Sequence, residues 1–106
     1  MRSKNKPAQT ATERAYAEAL AQLPCVVCDA PGPSEVHEPE QGLWFASIPL
    51  CWACHRGPEG WHGTRLRWTL RRVSELQAIN KTVGIVARGL FTGLLSRAGG
   101  AGGLTR

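Results

Sequence analysis

Cys25-Val26-Val27-Cys28, then 22 residues that include Glu35-Val36-His37, then Cys51-Trp52-Ala53-Cys54-His55 and finally Trp61-His62: this stretch holds all four cysteines and all three histidines of a 106-residue chain. Two Cys-x-x-Cys pairs at such a separation are the ligand pattern of one tetrahedral zinc site, each pair on its own tight knuckle. With polar ends set aside, roughly 75 residues remain to build a core, a size at which small folds begin to need a staple. A structural zinc contributes on the order of 10 to 16 kcal/mol, comparable to or larger than the whole stability of a small domain. Zinc on Cys25, Cys28, Cys51 and Cys54 is therefore expected to be part of the fold.

The segments on either side follow from the knuckles outward. Thr10 and Glu13 have the spacing of a capping box, Ala11 to Leu23 is rich in alanine and glutamate, and Pro24 stops the helix just before Cys25. Tyr16, Ala19, Leu20 and Leu23 fall at helical spacing and form its packing face. Asp29 to Ser34 is turn chemistry, Glu35 to His37 a short strand, and Pro39 and Gly42 force a loop. Leu43 to Leu50 reads as a second strand returning to Cys51, which makes a hairpin between the knuckles.

Downstream, Thr64 caps an expected helix running to about Asn80, with Leu66, Leu70, Val73, Leu76 and Ile79 as its apolar stripe. Arg65, Arg67, Arg71 and Arg72 lie mostly off that stripe, and Arg56 sits in the preceding loop. These five are candidates for phosphate contact, against the plainer alternative of a solvated basic face. Tryptophans 44, 52, 61 and 68 are more often core at this size, although one could cover sulfurs or stack on a base. Thr82 to Arg97 reads as a second, poorer helix interrupted by glycines, with Val83, Val86, Leu90 and Leu94 on one side. The organisation is a basic tail over residues 1–9, a zinc-stapled domain over 10–80, a helical extension over 81–98 and a glycine-rich tail over 99–106.

Thirteen lysines and arginines against eight acidic residues give a net charge of +5, which permits a polyanionic partner without requiring one. Met1 to Pro7 carries no apolar leader, so a reducing, cytoplasmic setting is expected, where thiols favour metal over disulfides. Val83 to Leu95 is broken by Gly84, Arg88, Gly89 and Gly93, and no membrane span is read there.

Four thiolates close a structural zinc site and leave three histidines over. Imidazole both ligates metals and exchanges a proton near neutral pH, so three of them gathered beside a zinc scaffold suggest a second, open site. The order Glu35-Val36-His37, Ile48-Pro49-Leu50-Cys51-Trp52-Ala53-Cys54-His55, Trp61-His62-Gly63 resembles the HNH, or His-Me finger, endonucleases that carry a four-cysteine zinc staple. The likeness is strongest to small phage and prophage nucleases related to the RecA-dependent recombination-enhancing nuclease, and it covers about Cys25 to Asn80.

That resemblance implies a small α+β fold: a zinc-stapled hairpin plus helix, a treble-clef-like ββα-metal core, with flanking helices. It implies a metal-dependent DNA endonuclease, a catalytic divalent ion (Mg²⁺, Mn²⁺ or another) distinct from the zinc, DNA as partner and a recombinase filament as a further one. His55 and His62 match positions that bind the catalytic ion, and His37 matches the upstream histidine. Two departures stand out. A His-His or Asp-His doublet is usual on the first strand, whereas here the pair is His37-Glu38; either His37 is the base, or His37 is a ligand and Glu38 takes the proton. Ala46 and Ser47 occupy the region where an asparagine is usual. Two other readings remain: a zinc-stapled module that binds nucleic acid or protein without cleavage, and a redox or rubredoxin-like centre.

Overall fold

The computed structural model describes the backbone of residues 8–99 and side chains up to residue 93. The expected basic tail (1–9) and glycine-rich tail (99–106) thus lie outside it, apart from residues 8, 9 and 99. Within it the chain is a small α+β fold with one two-stranded antiparallel hairpin and several helices.

Helix α1 spans Ala11–Ala21 and begins as its sequence dictates. Thr10 Oγ1 accepts the Glu13 N–H at 3.0 Å and Glu13 Oε1 accepts the Thr10 N–H at 2.8 Å, satisfying two otherwise orphaned donors. It closes two residues earlier than expected, because Gln22 and Leu23 tighten the last turn with bonds to the carbonyls of Ala19 and Leu20. Leu20 is fully buried, and Tyr16 meets Phe45 edge-on with centroids 5.3 Å apart; Ala19, in contrast, faces solvent.

Strands β1 (Glu35–His37) and β2 (Ile48–Leu50) pair with Glu35 opposite Leu50 and His37 opposite Ile48. The second strand is shorter than expected: Trp44–Ala46 forms a 3-10 turn instead. Only three residues of β1 are available as partners before Pro39, so the preceding residues satisfy themselves locally, Ala46 and Ser47 donating to the carbonyls of Leu43 and Trp44. Pro49 has no N–H to give, but its carbonyl accepts the Val26 N–H at 2.9 Å and so ties the first knuckle to the hairpin.

After the short helix α2 (Trp52–His55) the chain makes two further helices, α3 (Leu66–Arg71) and α4 (Glu75–Gly99). This corrects both downstream expectations. The helix does not continue from Thr64 to Asn80: Arg72 adopts a left-handed conformation (φ 58°), and Ser74 starts a new helix by exchanging bonds with Gln77, 2.8 and 3.0 Å. The chain also does not weaken at Lys81, because Lys81 Nζ donates to the Val26 carbonyl at 3.2 Å and Thr82 Oγ1, fully buried, donates to the Ala78 carbonyl. The apolar stripe splits accordingly. Leu66, Leu70 and Leu76 are exposed, whereas Val73 and Ile79 pack on the core. No helix among the described residues is long and apolar enough to cross a membrane.

The core is one cluster of Val26, Val27, Ile48, Leu50, Trp68 and Ala78 around the buried thiols of Cys25 and Cys54. Trp68 is its largest member, and its Nε1–H donates to the Cys54 carbonyl at 2.8 Å, so its polar atom is satisfied. Trp61 and Trp44 are half-buried and Trp52 is exposed. Leu50→Ala, at a position with no exposure, should cost about 2–5 kcal/mol in denaturant unfolding through lost burial and the cavity left behind.

Candidate metal centre and histidine cleft

Cys25 and Cys28 sit on a knuckle where Asp29 takes a left-handed turn (φ 64°) and returns its N–H to the Cys25 carbonyl. Cys51 caps α2, its sulfur accepting the Cys54 N–H at 3.4 Å. The four sulfurs all lie within 4.8 Å of one another and none is in a disulfide. Cys28 Sγ and Cys51 Sγ are 3.7 Å apart; the edge of a tetrahedron with Zn–S of about 2.3 Å is about 3.8 Å. The arrangement suits a metal ion such as zinc.

The surroundings of the sulfurs divide them. Burial pushes the Cys25 and Cys54 thiols up. Burial also opposes ionisation of Cys28, but the Ala30 N–H and the neighbouring thiols aimed at it outweigh that and bring it down to about 7. A metal entering here must therefore displace protons from at least the two buried thiols. Arg67 Nε donates to Cys54 Sγ at 3.3 Å, placing a cation against one of the two buried sulfurs.

Apart from the sulfurs, the three histidines converge. One ring nitrogen from each of His37, His55 and His62 lies within 4.8 Å of the other two, a second group of metal-capable donors distinct from the sulfurs. His37 ends β1 and is 4 % exposed, His55 ends α2 and is partly buried, and His62 is exposed. The ring centroids are 5.1 Å apart for His37 and His55, 5.4 Å for His37 and His62, and 4.9 Å for His55 and His62.

His62 arrives on an irregular loop that is laid against α2 by its backbone. Trp61 and His62 donate their N–H groups to the carbonyls of Cys54 and His55 at 2.8 and 3.0 Å. That approach needs glycine on both sides. A Cβ at Gly60 would lie 2.6 Å from the Ala53 carbonyl oxygen, and one at Gly63 would collide with the Pro58 carbonyl.

Two carboxylates orient the cluster, and neither was assigned a role from sequence. Glu35 Oε1 accepts from His55 Nδ1 at 2.8 Å, and both its oxygens accept from Arg56, at 3.0 and 2.6 Å. His55 thus keeps Nε2 free. Hydrogen bonding from Arg56 outweighs burial and, with His55, lowers the Glu35 carboxyl to about 2. Burial lowers His55 more than Glu35 raises it, and the other two imidazoles add to that, a shift toward the neutral form that ligates metals. Glu75, the first residue of α4, meets His37 Nε2 at 2.7 Å. Glu35 could have been suspected, since residues two apart on a strand share a face with His37; for Glu75 the only signal was the Ser74-x-x-Gln77 helix start.

Glu38 is not part of the histidine group; its carboxylate accepts the Gly42 N–H at 3.0 Å and braces the loop after β1. Among the candidate arginines, Arg56 is held by Glu35 and Arg67 by Cys54. Arg65 donates to the Trp61 carbonyl with its guanidinium 3.6 Å from the Trp61 ring centroid. Arg71 and Arg72 are exposed. No family model matches the chain, and no curated protein and no solved structure matches it.

Two outcomes follow from this geometry. Purified protein should carry one zinc per chain, and stripping it with a chelator, or Cys54→Ser, should abolish cooperative thermal unfolding by circular dichroism. The Glu35 clamp is complete above pH 4.5, the ordinary value for this carboxyl, and its stabilisation is lost as pH falls toward about 2. Arg56→Met should return the Glu35 titration, followed by carboxyl NMR, toward 4.5 and shift the acid limb of the stability profile upward.

Proposed function

We propose that this protein is a metal-dependent DNA endonuclease of the HNH type, in which a treble-clef-like zinc staple holds a ββα catalytic unit. The observation that carries the reading is the convergence of ring nitrogens of His37, His55 and His62 within 4.8 Å, from β1, α2 and the loop after α2, apart from the four sulfurs. A structural zinc site has no use for three further imidazoles, two of them braced by carboxylates, whereas hydrolysis of a phosphodiester has.

His55 through Nε2, together with His62, would hold a divalent ion. An all-imidazole donor set favours Mn²⁺ or a later transition ion over Mg²⁺, which prefers oxygen ligands. When bound, the ion supplies a Lewis acid for the charge that develops on the phosphate and the leaving oxygen. His37 is the base: it takes a proton from the water whose oxygen forms the new P–O bond as the bond from phosphorus to the departing deoxyribose oxygen breaks. Glu38, occupied with Gly42, is the poorer candidate for that proton. Arg71 and Arg72, exposed cations of a +5 chain, are suited to ionic contacts with the phosphates of the DNA backbone, that is, without sequence preference. Phage or prophage recombination, with a recombinase filament as partner, is the setting that this reading suggests, in a cytoplasmic compartment.

Supercoiled plasmid incubated with the zinc-loaded protein and Mn²⁺, Mg²⁺, Co²⁺ or Ni²⁺ should be nicked. His37→Ala and His55→Ala should each reduce the nicking rate by at least about 100-fold while retaining one zinc per chain. Intact plasmid with every ion, or variants that nick like the parent, would leave only a zinc-stapled binding module. Retention of DNA lost with rising salt and with Arg71→Ala and Arg72→Ala would then be its signature.

A further inference from the structure

We propose that Glu75 is a positioning residue for His37, and that the break between α3 and α4 serves to deliver it; this rests on the reading of His37 as the base. His37 is 4 % exposed and its ring is hemmed in by His55, His62 and Trp61, so its orientation is set by packing and its tautomer by whatever its nitrogens meet. Nε2 meets Glu75 Oε2 at 2.7 Å. An ionised carboxylate only accepts, so Nε2 carries the proton and Nδ1 is left with its lone pair. His55 is fixed in the complementary sense, Nδ1–H to Glu35 and Nε2 open. Each imidazole of this pair is thus held by its own carboxylate through one ring nitrogen, the arrangement by which outer carboxylates orient histidines and fix their tautomer.

The backbone route to this contact is specific. Had α3 continued past Arg71 as one helix, residue 75 would lie one turn further along the α3 axis. Instead Arg72 turns left-handed, Val73 returns its N–H to the Trp68 carbonyl, and the reciprocal Ser74 and Gln77 bonds restart the helix. Glu75 therefore stands in the first turn of α4, braced by a cap on one side. Six residues on, Lys81 anchors the same helix to the Val26 carbonyl of the first knuckle. Glu75 lies outside the group of mutually close metal-capable donors, which separates a partner of His37 from a ligand.

The test combines imidazole ¹⁵N NMR, which reports the tautomer of His37 without any added divalent ion, with plasmid nicking, on the full zinc-loaded chain. In the parent protein His37 should be the Nε2–H tautomer. Glu75→Ala should convert it to a mixture and lower the nicking kcat about 10- to 100-fold with little change in KM, at unchanged zinc content. Glu75→Gln, whose amide oxygen still accepts, should keep the tautomer and recover part of the rate, which a loss of fold would not do. An Nδ1–H tautomer in the parent, or a folded Glu75→Ala protein with His37 unchanged, overturns the assignment. If the parent does not nick but its His37 tautomer depends on Glu75 as described, the positioning role stands and the endonuclease reading alone falls.

Discussion

The fold turns on bringing four sulfurs together. Cys25 and Cys28 follow α1, Cys51 and Cys54 belong to α2, and the hairpin lies between them in sequence, so closing the cluster fixes the first helix, both strands and the second helix at once. Little else could. The hairpin has three residues a strand, below what stands alone in water, and the buried core is small. Hydrogen bonds to backbone carbonyls tie the rest to this centre: the Val26 N–H to Pro49, the Trp68 indole to Cys54, the Lys81 ammonium to Val26. Each helix beyond α1 is thus referenced to a knuckle rather than to a broad apolar interface, which explains why α4 can leave Leu76, Leu90 and Phe91 exposed and still be placed.

The histidine cleft inherits its precision from the same centre. His55 follows Cys54 directly, and His62 is laid on α2 through backbone bonds to the carbonyls of Cys54 and His55. His37 enters from the strand that pairs with β2, whose last residue precedes Cys51. Three imidazoles from a strand, a helix and an irregular loop would ordinarily be a loose assembly. Here two carboxylates and a pair of glycine-dependent approaches remove much of the remaining freedom, adding polar partners to the packing that already surrounds His37.

What could be read from sequence was what depends on neighbours a few residues apart. The Cys-x-x-Cys pairs, the Thr10 and Glu13 box, the loop forced by Pro39 and Gly42 and the short first strand all express local chemistry. The misreadings arose where a periodic pattern continued across a change of structure. Leu66 to Ile79 keeps helical spacing, and nothing in an arginine announces the left-handed turn at Arg72; Leu43 to Ser47 reads as the start of a strand but has no partner strand to pair with. The histidines could be singled out by type and count, but not their partners. Glu75 and His37 are 38 residues apart, and a contact at that separation is a product of the whole chain path. The arginines show the same limit: a basic run looks like one face until Arg56, Arg65 and Arg67 are each found engaged within the protein.

Helix α4 grips both centres, Glu75 on His37 and Lys81 on the first knuckle, less than two turns apart. On the proposed reading, in which the histidines hold a divalent ion, two sites contacted by the same helix are expected to be coupled. By thermodynamic linkage, whatever affinity the occupied sulfurs confer on an ion at the histidines, an ion at the histidines confers in equal measure on the sulfurs. Occupancy of the cleft would then be legible from afar, as a slower escape of zinc to a competing chelator.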